Sequence, residues 1–267
     1  MGPTKMLAFA GAATALITTT AATAADFPAA MPPRAPVVEA SGWYLRGDIG
    51  MTNQQVKTLD NVLFPTTPNL VIHDKNFESG VLFGIGAGYK WNNWLRFDVT
   101  GEYRGETGFH GFDTWNDGIA RFNNYTAKKS EWLVLANAYL DLGTWWCITP
   151  FIGAGVGWSY VTMHSFRDAG TDGLAPTMAY ANAASKSNFA WALHAGLSYE
   201  VTRSFSVELA YRYVNLGNGL TGDIIAFDGT NNVNNPMHFK DITSHDVKFG
   251  VRWMLQPPEQ PVLMRRG

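Results

Sequence analysis

The feature that most restricts this chain is a two-residue period running from Val81 to Arg104 with one interruption. Val81, Phe83, Ile85, Ala87, Tyr89 and Trp91 fall on one side of the backbone, and Leu82, Gly84, Gly86, Gly88 and Lys90 on the other, which is the periodicity of a strand. Asn92-Asn93 follows, a pair that tolerates the positive φ of a tight turn. The alternation then resumes with Leu95, Phe97, Val99, Gly101 and Tyr103 opposite Arg96, Asp98, Thr100, Glu102 and Arg104. The pattern predicts an antiparallel hairpin with one apolar face and one almost entirely ionisable face.

Which face meets water decides the fold class. A soluble sandwich or barrel turns the apolar face inward. An outer-membrane barrel turns it toward lipid and places the charges in the lumen. The glycine file Gly84, Gly86, Gly88 lies on the charged side, where a narrow lumen must make room for long side chains. Trp91 and Trp94 bracket the turn, as an interfacial aromatic girdle would. Each strand has about the 9–11 residues that a tilted crossing needs. The inverted, membrane sense fits best.

Targeting agrees. Lys5, an apolar run from Met6 to about Ile17, and Ala22-Thr23-Ala24 read as a secretory signal spanning residues 1–24, with cleavage after Ala24 and Ala25 as the alternative. No later run is long and apolar enough for a transmembrane helix. Residues 25–41 carry Pro28, Pro32, Pro33 and Pro36 and read as a periplasmic leader; residues 256–267, with Pro257, Pro258 and Pro261, read as a periplasmic tail. The lone Cys147 cannot form an internal disulfide and is expected to pack in a turn. A net charge of −2 without a basic stripe speaks against nucleic acid.

Between leader and tail, residues 42–255 repeat the same logic. Strands are expected at Trp43 to Asn53, in the hairpin above, at Ser130 to Leu142, at Phe151 to Tyr160, at Asn188 to Val201, at Phe205 to Leu216 and at Thr243 to Leu255. The long segments Gln54 to Ser79, Gly105 to Lys129, Thr162 to Ser187 and Gly217 to Ile242, about 25 residues each, show no sustained alternation and read as loops, with a short helix conceivable over Ala175 to Ala184. Long and short connections alternate strictly, which fits an all-β, eight-stranded antiparallel up-and-down transmembrane β-barrel with four long extracellular loops. Trp43, Trp91, Trp94, Trp145, Trp146, Phe205 and Trp253 all fall at the short-turn rim.

The residues also resemble a known family. Trp43-Tyr44-Leu45-Arg46-Gly47-Asp48-Ile49-Gly50, Phe83 to Tyr89, Glu208 to Tyr213 and His245 to Arg252 are similar to the alphaproteobacterial 25/31-kDa outer-membrane proteins, small surface-exposed barrels of OmpA/OmpX type. The resemblance implies an abundant outer-membrane barrel of porin-like, adhesive or immunogenic character. Such barrels usually end on an aromatic residue. Here strand eight is followed by Gln256 to Gly267, so the assembly signal is either read internally around Trp253 to Leu255 or the tail is tolerated.

The inward file predicted from the pattern holds Arg46, Lys90, Arg96, Arg104, Arg212, Lys248 and Arg252 against Asp48, Asp98, Glu102, Glu131, Asp141, Glu200, Glu208 and Asp246. Eight strands enclose little more than their own side chains, so these groups are expected to pair. Three readings stay open: a salt-bridged plug under interacting loops, a narrow ion or solute pore, and a loop-borne hydrolase using His73-Asp74 or His245-Asp246. No histidines share metal-ligand spacing, so no metal and no cofactor are expected. The expected partners are outer-membrane lipid and a surface or host ligand reached through loop aromatics such as Phe109, Trp115 and Tyr125, the chain itself acting as a monomer; those aromatics are equally suited to packing the loops together.

Overall fold

The computed structural model describes residues 41–255. The signal, the leader up to residue 40 and the tail lie outside the described residues. Eleven strands form one sheet: β1 (Gly42–Asp60), β2 (Val71–Phe77), β3 (Gly80–Lys90), β4 (Leu95–Asn116), β5 (Ala120–Asp141), β6 (Ile148–Thr171), β7 (Pro176–Ala181), β8 (Ala184–Thr202), β9 (Phe205–Leu220), β10 (Ile224–Ala226) and β11 (His238–Met254). Eight of them close a ring, β1-β3-β4-β5-β6-β8-β9-β11, with every pair antiparallel and β11 returning to β1. Closure leaves no free edge, the condition for a sheet to cross a membrane.

The hairpin registers as its pattern requires: Phe83 faces Tyr103, Ala87 faces Val99, Gly84 faces Glu102 and Gly88 faces Asp98. Phe83, Ile85, Phe97 and Val99 are exposed on the outer wall, Ile85 to 75%, whereas Arg96, Glu102 and Arg104 are buried in the lumen. The glycines are a matter of volume. A Cβ on Gly84 would meet Glu102 Cγ at 2.8 Å, and one on Gly88 would collide with the Tyr44 ring. Trp43, Trp91, Trp94, Trp145, Trp146 and Trp253 are exposed and Phe205 half-buried beside the short connections.

The long segments differ from their expected form. Of Gly105 to Lys129, only residues 117–119 are not strand, because β4 and β5 continue as a paired hairpin to Asn116↔Ala120. Residues 176–181 form β7 rather than part of a helix. The physical reason is a change of solvent. Within the membrane band the outer face is apolar; beyond Tyr103 and Trp132 the outward residues are Glu106, His110, Lys128 and Asn124, while Phe109, Tyr125 and Ala127 are buried inside. Lipid gives way to water, and the sense of the pattern inverts. Irregularities between Arg104 and Thr107 on β4, between His164 and Arg167 on β6 opposite Thr126 and Lys128, and between Phe239 and Ile242 on β11 break the period near that crossover. Cys147 is exposed, with φ of 66°, at the periplasmic turn instead of packed.

Candidate functional site

The interior has two layers. In the membrane-spanning part, the buried cations Arg46, Arg96, Arg104, Lys129, Arg212, Lys248 and Arg252 meet the buried anions Asp48, Asp98, Glu102, Glu131, Asp141, Glu208 and Asp246, seven of each. Toward the periplasm, Glu208 accepts Arg96 Nη1 and Arg252 Nη1, each at 2.8 Å, and Arg46 Nη2 lies 3.4 Å away. Arg46 also reaches Asp48 and Asp98 at 2.8 Å each. Arg96 donates to Asp141 at 3.0 Å, with its guanidinium carbon 4.5 Å from the ring centres of both Tyr139 and Phe151.

Higher up, Arg212 grips both Glu102 oxygens at 2.7 and 2.6 Å and Asp246 at 2.7 Å. Arg104 binds Asp246 through two bonds of 2.8 and 3.0 Å and lies 2.8 Å from Glu131 without hydrogen-bond alignment. Lys248 bridges Glu102 at 2.6 Å and Asp48 at 3.5 Å. Planar arginine forks on carboxylates are the strongest form of such pairing.

Three placements depart from the predicted set. Lys90 and Glu200 line a cavity of about 200 Å³ at the periplasmic mouth and make no ion pair among the described residues, Glu200 being exposed. Lys129, absent from the predicted set because it sits in a segment read as loop, is fully buried on Glu131 and Gln54. His245 turns outward, 2.5 Å from Tyr211, while Asp246 turns into the lumen, so strand alternation separates the pair proposed as acid and base.

Above the ionic layer lies an apolar one. Phe77, Phe109 and Phe239 pack with ring centres 5.1 and 4.8 Å apart, joined by Val56, Leu59, Val161, Met163, Phe166 and Ile242. Lys129 Nζ sits 4.8 Å from the Phe77 ring centre at the junction. Beyond this core, at the extracellular end, is a small pocket of about 180 Å³ lined by Asp113, Asp168, Tyr125 and Trp115.

A family model for the outer membrane protein beta-barrel domain matches residues 11–254. The chain belongs to this family. Its place is the outer membrane. A protein of Brucella abortus is 32% identical over 225 residues, covering 74% of this chain and 77% of that protein. A Rickettsia conorii protein named as a candidate adhesin is 28% identical over 224 residues, covering 79% of this chain and 81% of its own length. Among solved structures, the outer membrane protein OprG from Pseudomonas aeruginosa aligns over 81% of this chain and 97% of its own, at 12% identity and a TM-score of 0.47.

Proposed function

We propose that this family member is a plugged barrel whose work is structural and surface-directed: it spans the outer membrane as a rigid, self-closed monomer and presents its tall extracellular hairpins to a partner. The observation that carries this reading is the succession of an ion-paired layer and a buried apolar, aromatic layer inside the barrel. A hydrated ion passing through would have to break buried arginine–carboxylate forks and then cross an apolar core, and both steps are costly. On this reading the mouth cavity around Lys90 and Glu200 does not continue through the barrel. The Rickettsia conorii relative, named as a candidate adhesin, fits the same role. Separation of His245 from Asp246 removes one of the two dyads that favoured a hydrolase.

The test is planar-bilayer recording of the refolded mature chain. The expected record is silent from −100 to +100 mV. Steady, large, reproducible openings would replace this reading with a pore.

A further inference from the structure

The pocket at the extracellular end has an unbalanced charge. Asp113 on β4 and Asp168 on β6 flank β5, where Asp113 registers with Asn123 and Asp168 with Tyr125. The Asp113 carboxylate is occupied: it accepts the Tyr125 hydroxyl at 2.5 Å and the Asn123 amide at 3.0 Å. Asp168 is different. Among the described residues its Oδ1 is sealed from solvent and accepts no hydrogen bond, and no cation pairs with the side chain. Arg121 lies 3.0 Å from Asp117 and 4.4 Å from the Trp115 ring centre, and its Nε is buried without a hydrogen-bond partner. Burial, with Asp113 facing it, pushes the Asp168 carboxyl up to about 7.

A half-buried carboxylate at a cavity wall, with one oxygen sealed and no counter-charge, is costly unless an occupant supplies one. We propose that this pocket binds an alkylammonium group, the Asp168 carboxylate neutralising its charge and Trp115 and Tyr125 forming its aromatic walls. Three observations select this class. The cavity, at about 180 Å³, is smaller than the roughly 300–1,000 Å³ of pockets for drug-sized ligands, so it takes a side-chain-sized group. Aromatic walls favour an organic cation over a strongly hydrated one. No group of three His, Cys, Asp or Glu residues suited to a metal ion occurs among the described residues. A lysine side chain on a partner surface and the end of a free polyamine present the same chemistry.

The inference deepens the surface-directed reading by naming what it recognises, and the two fail separately, since channel openings would leave the pocket intact. The experiment is titration calorimetry of the folded full chain in detergent micelles at pH 8, with cadaverine, Nα-acetyl-lysine methylamide and calcium chloride as probes. Saturable binding of either amine is expected, weakened at least tenfold in Asp168→Asn and unchanged in Asp172→Asn, a carboxylate that accepts the Leu174 and Ala175 amides of its own loop and does not line the pocket. Preference for the capped lysine points to a protein partner, and preference for cadaverine to polyamines. Asp168→Asn removes an uncompensated charge, so it should fold; gel mobility before boiling verifies this. Absence of saturable amine binding, equal binding by Asp168→Asn, or tighter Asp168-dependent binding of calcium would each overturn the proposal.

Discussion

Glu102→Gln isolates what the lumen ions contribute. Glu102 is 1% exposed and receives two bonds from Arg212, at 2.7 and 2.6 Å, and one from Lys248 at 2.6 Å. Glutamine keeps the volume and removes the charge. Arg212 retains Asp246 at 2.7 Å, but Lys248 is left with only Asp48 at 3.5 Å. Removing one partner of a buried ion pair costs about 3–5 kcal/mol; with Arg212 still partnered, the lower end, about 3 kcal/mol, is expected. Adding Lys248→Met deletes the stranded cation and restores equal numbers of charges, so the double variant should recover to within about 1 kcal/mol of the parent. The assay is urea unfolding in phosphatidylcholine vesicles, with the folded fraction read as the compact band on unboiled gels. Should Glu102→Gln lie within 1 kcal/mol of the parent, or should Lys248→Met add its own cost instead of relieving the first, the lumen pairs would not form one coupled network.

Phe109→Ala empties the centre of the Phe77–Phe109–Phe239 stack and should cost about 3–5 kcal/mol in the same assay without opening a conducting path, because the ionic layer below remains. Asp168, faced by Asp113 and Tyr125, holds its proton up to about pH 7 when folded and to about pH 4 when unfolded, so its stabilisation is complete below pH 4 and lost as pH rises through 7, a swing of about 4 kcal/mol. Asp168→Asn should therefore match the parent at pH 4 and exceed it in urea resistance at pH 8; a difference independent of pH would refute the assignment. Cys147, exposed in the turn between β5 and β6, should resist a 5-kDa polyethylene-glycol maleimide on intact cells and react once the outer membrane is permeabilised. Labelling of intact cells would reverse the orientation.

The membrane-spanning wall was legible because its pattern has a single sense: Phe83, Ile85, Phe97 and Val99 out, Arg96 and Glu102 in. The upper wall was not. Around Phe109, Tyr125 and Phe166 the inner positions are apolar and the outer ones polar, and the phase slips between Arg104 and Thr107, so a reader following the first sense finds only noise. Lys129 and Gln54 keep the inward parity of Glu131 and Thr52 and escaped notice as lumen residues only because the expected strands stop one residue short of them, at Ser130 and Asn53. Glu200 failed differently. It keeps the right parity but sits at the last turn of the wall, where an inward side chain already reaches water. The Asp168 pocket depends on which loops meet across the open end, and no local period carries that information.

The continuation of β4 and β5 past the lipid has a mechanical consequence. From Tyr103 to Asn116 the chain climbs thirteen residues as paired sheet; at about 3.3 Å per residue and a tilt near 40°, the tip stands roughly 30 Å above the acyl chains. A braced ribbon of that height works as a mast. It lifts residues 117–119 well clear of the acyl chains, so whatever they touch is met at arm's length from the bilayer, and insertions at that summit should disturb neither the wall nor its filling.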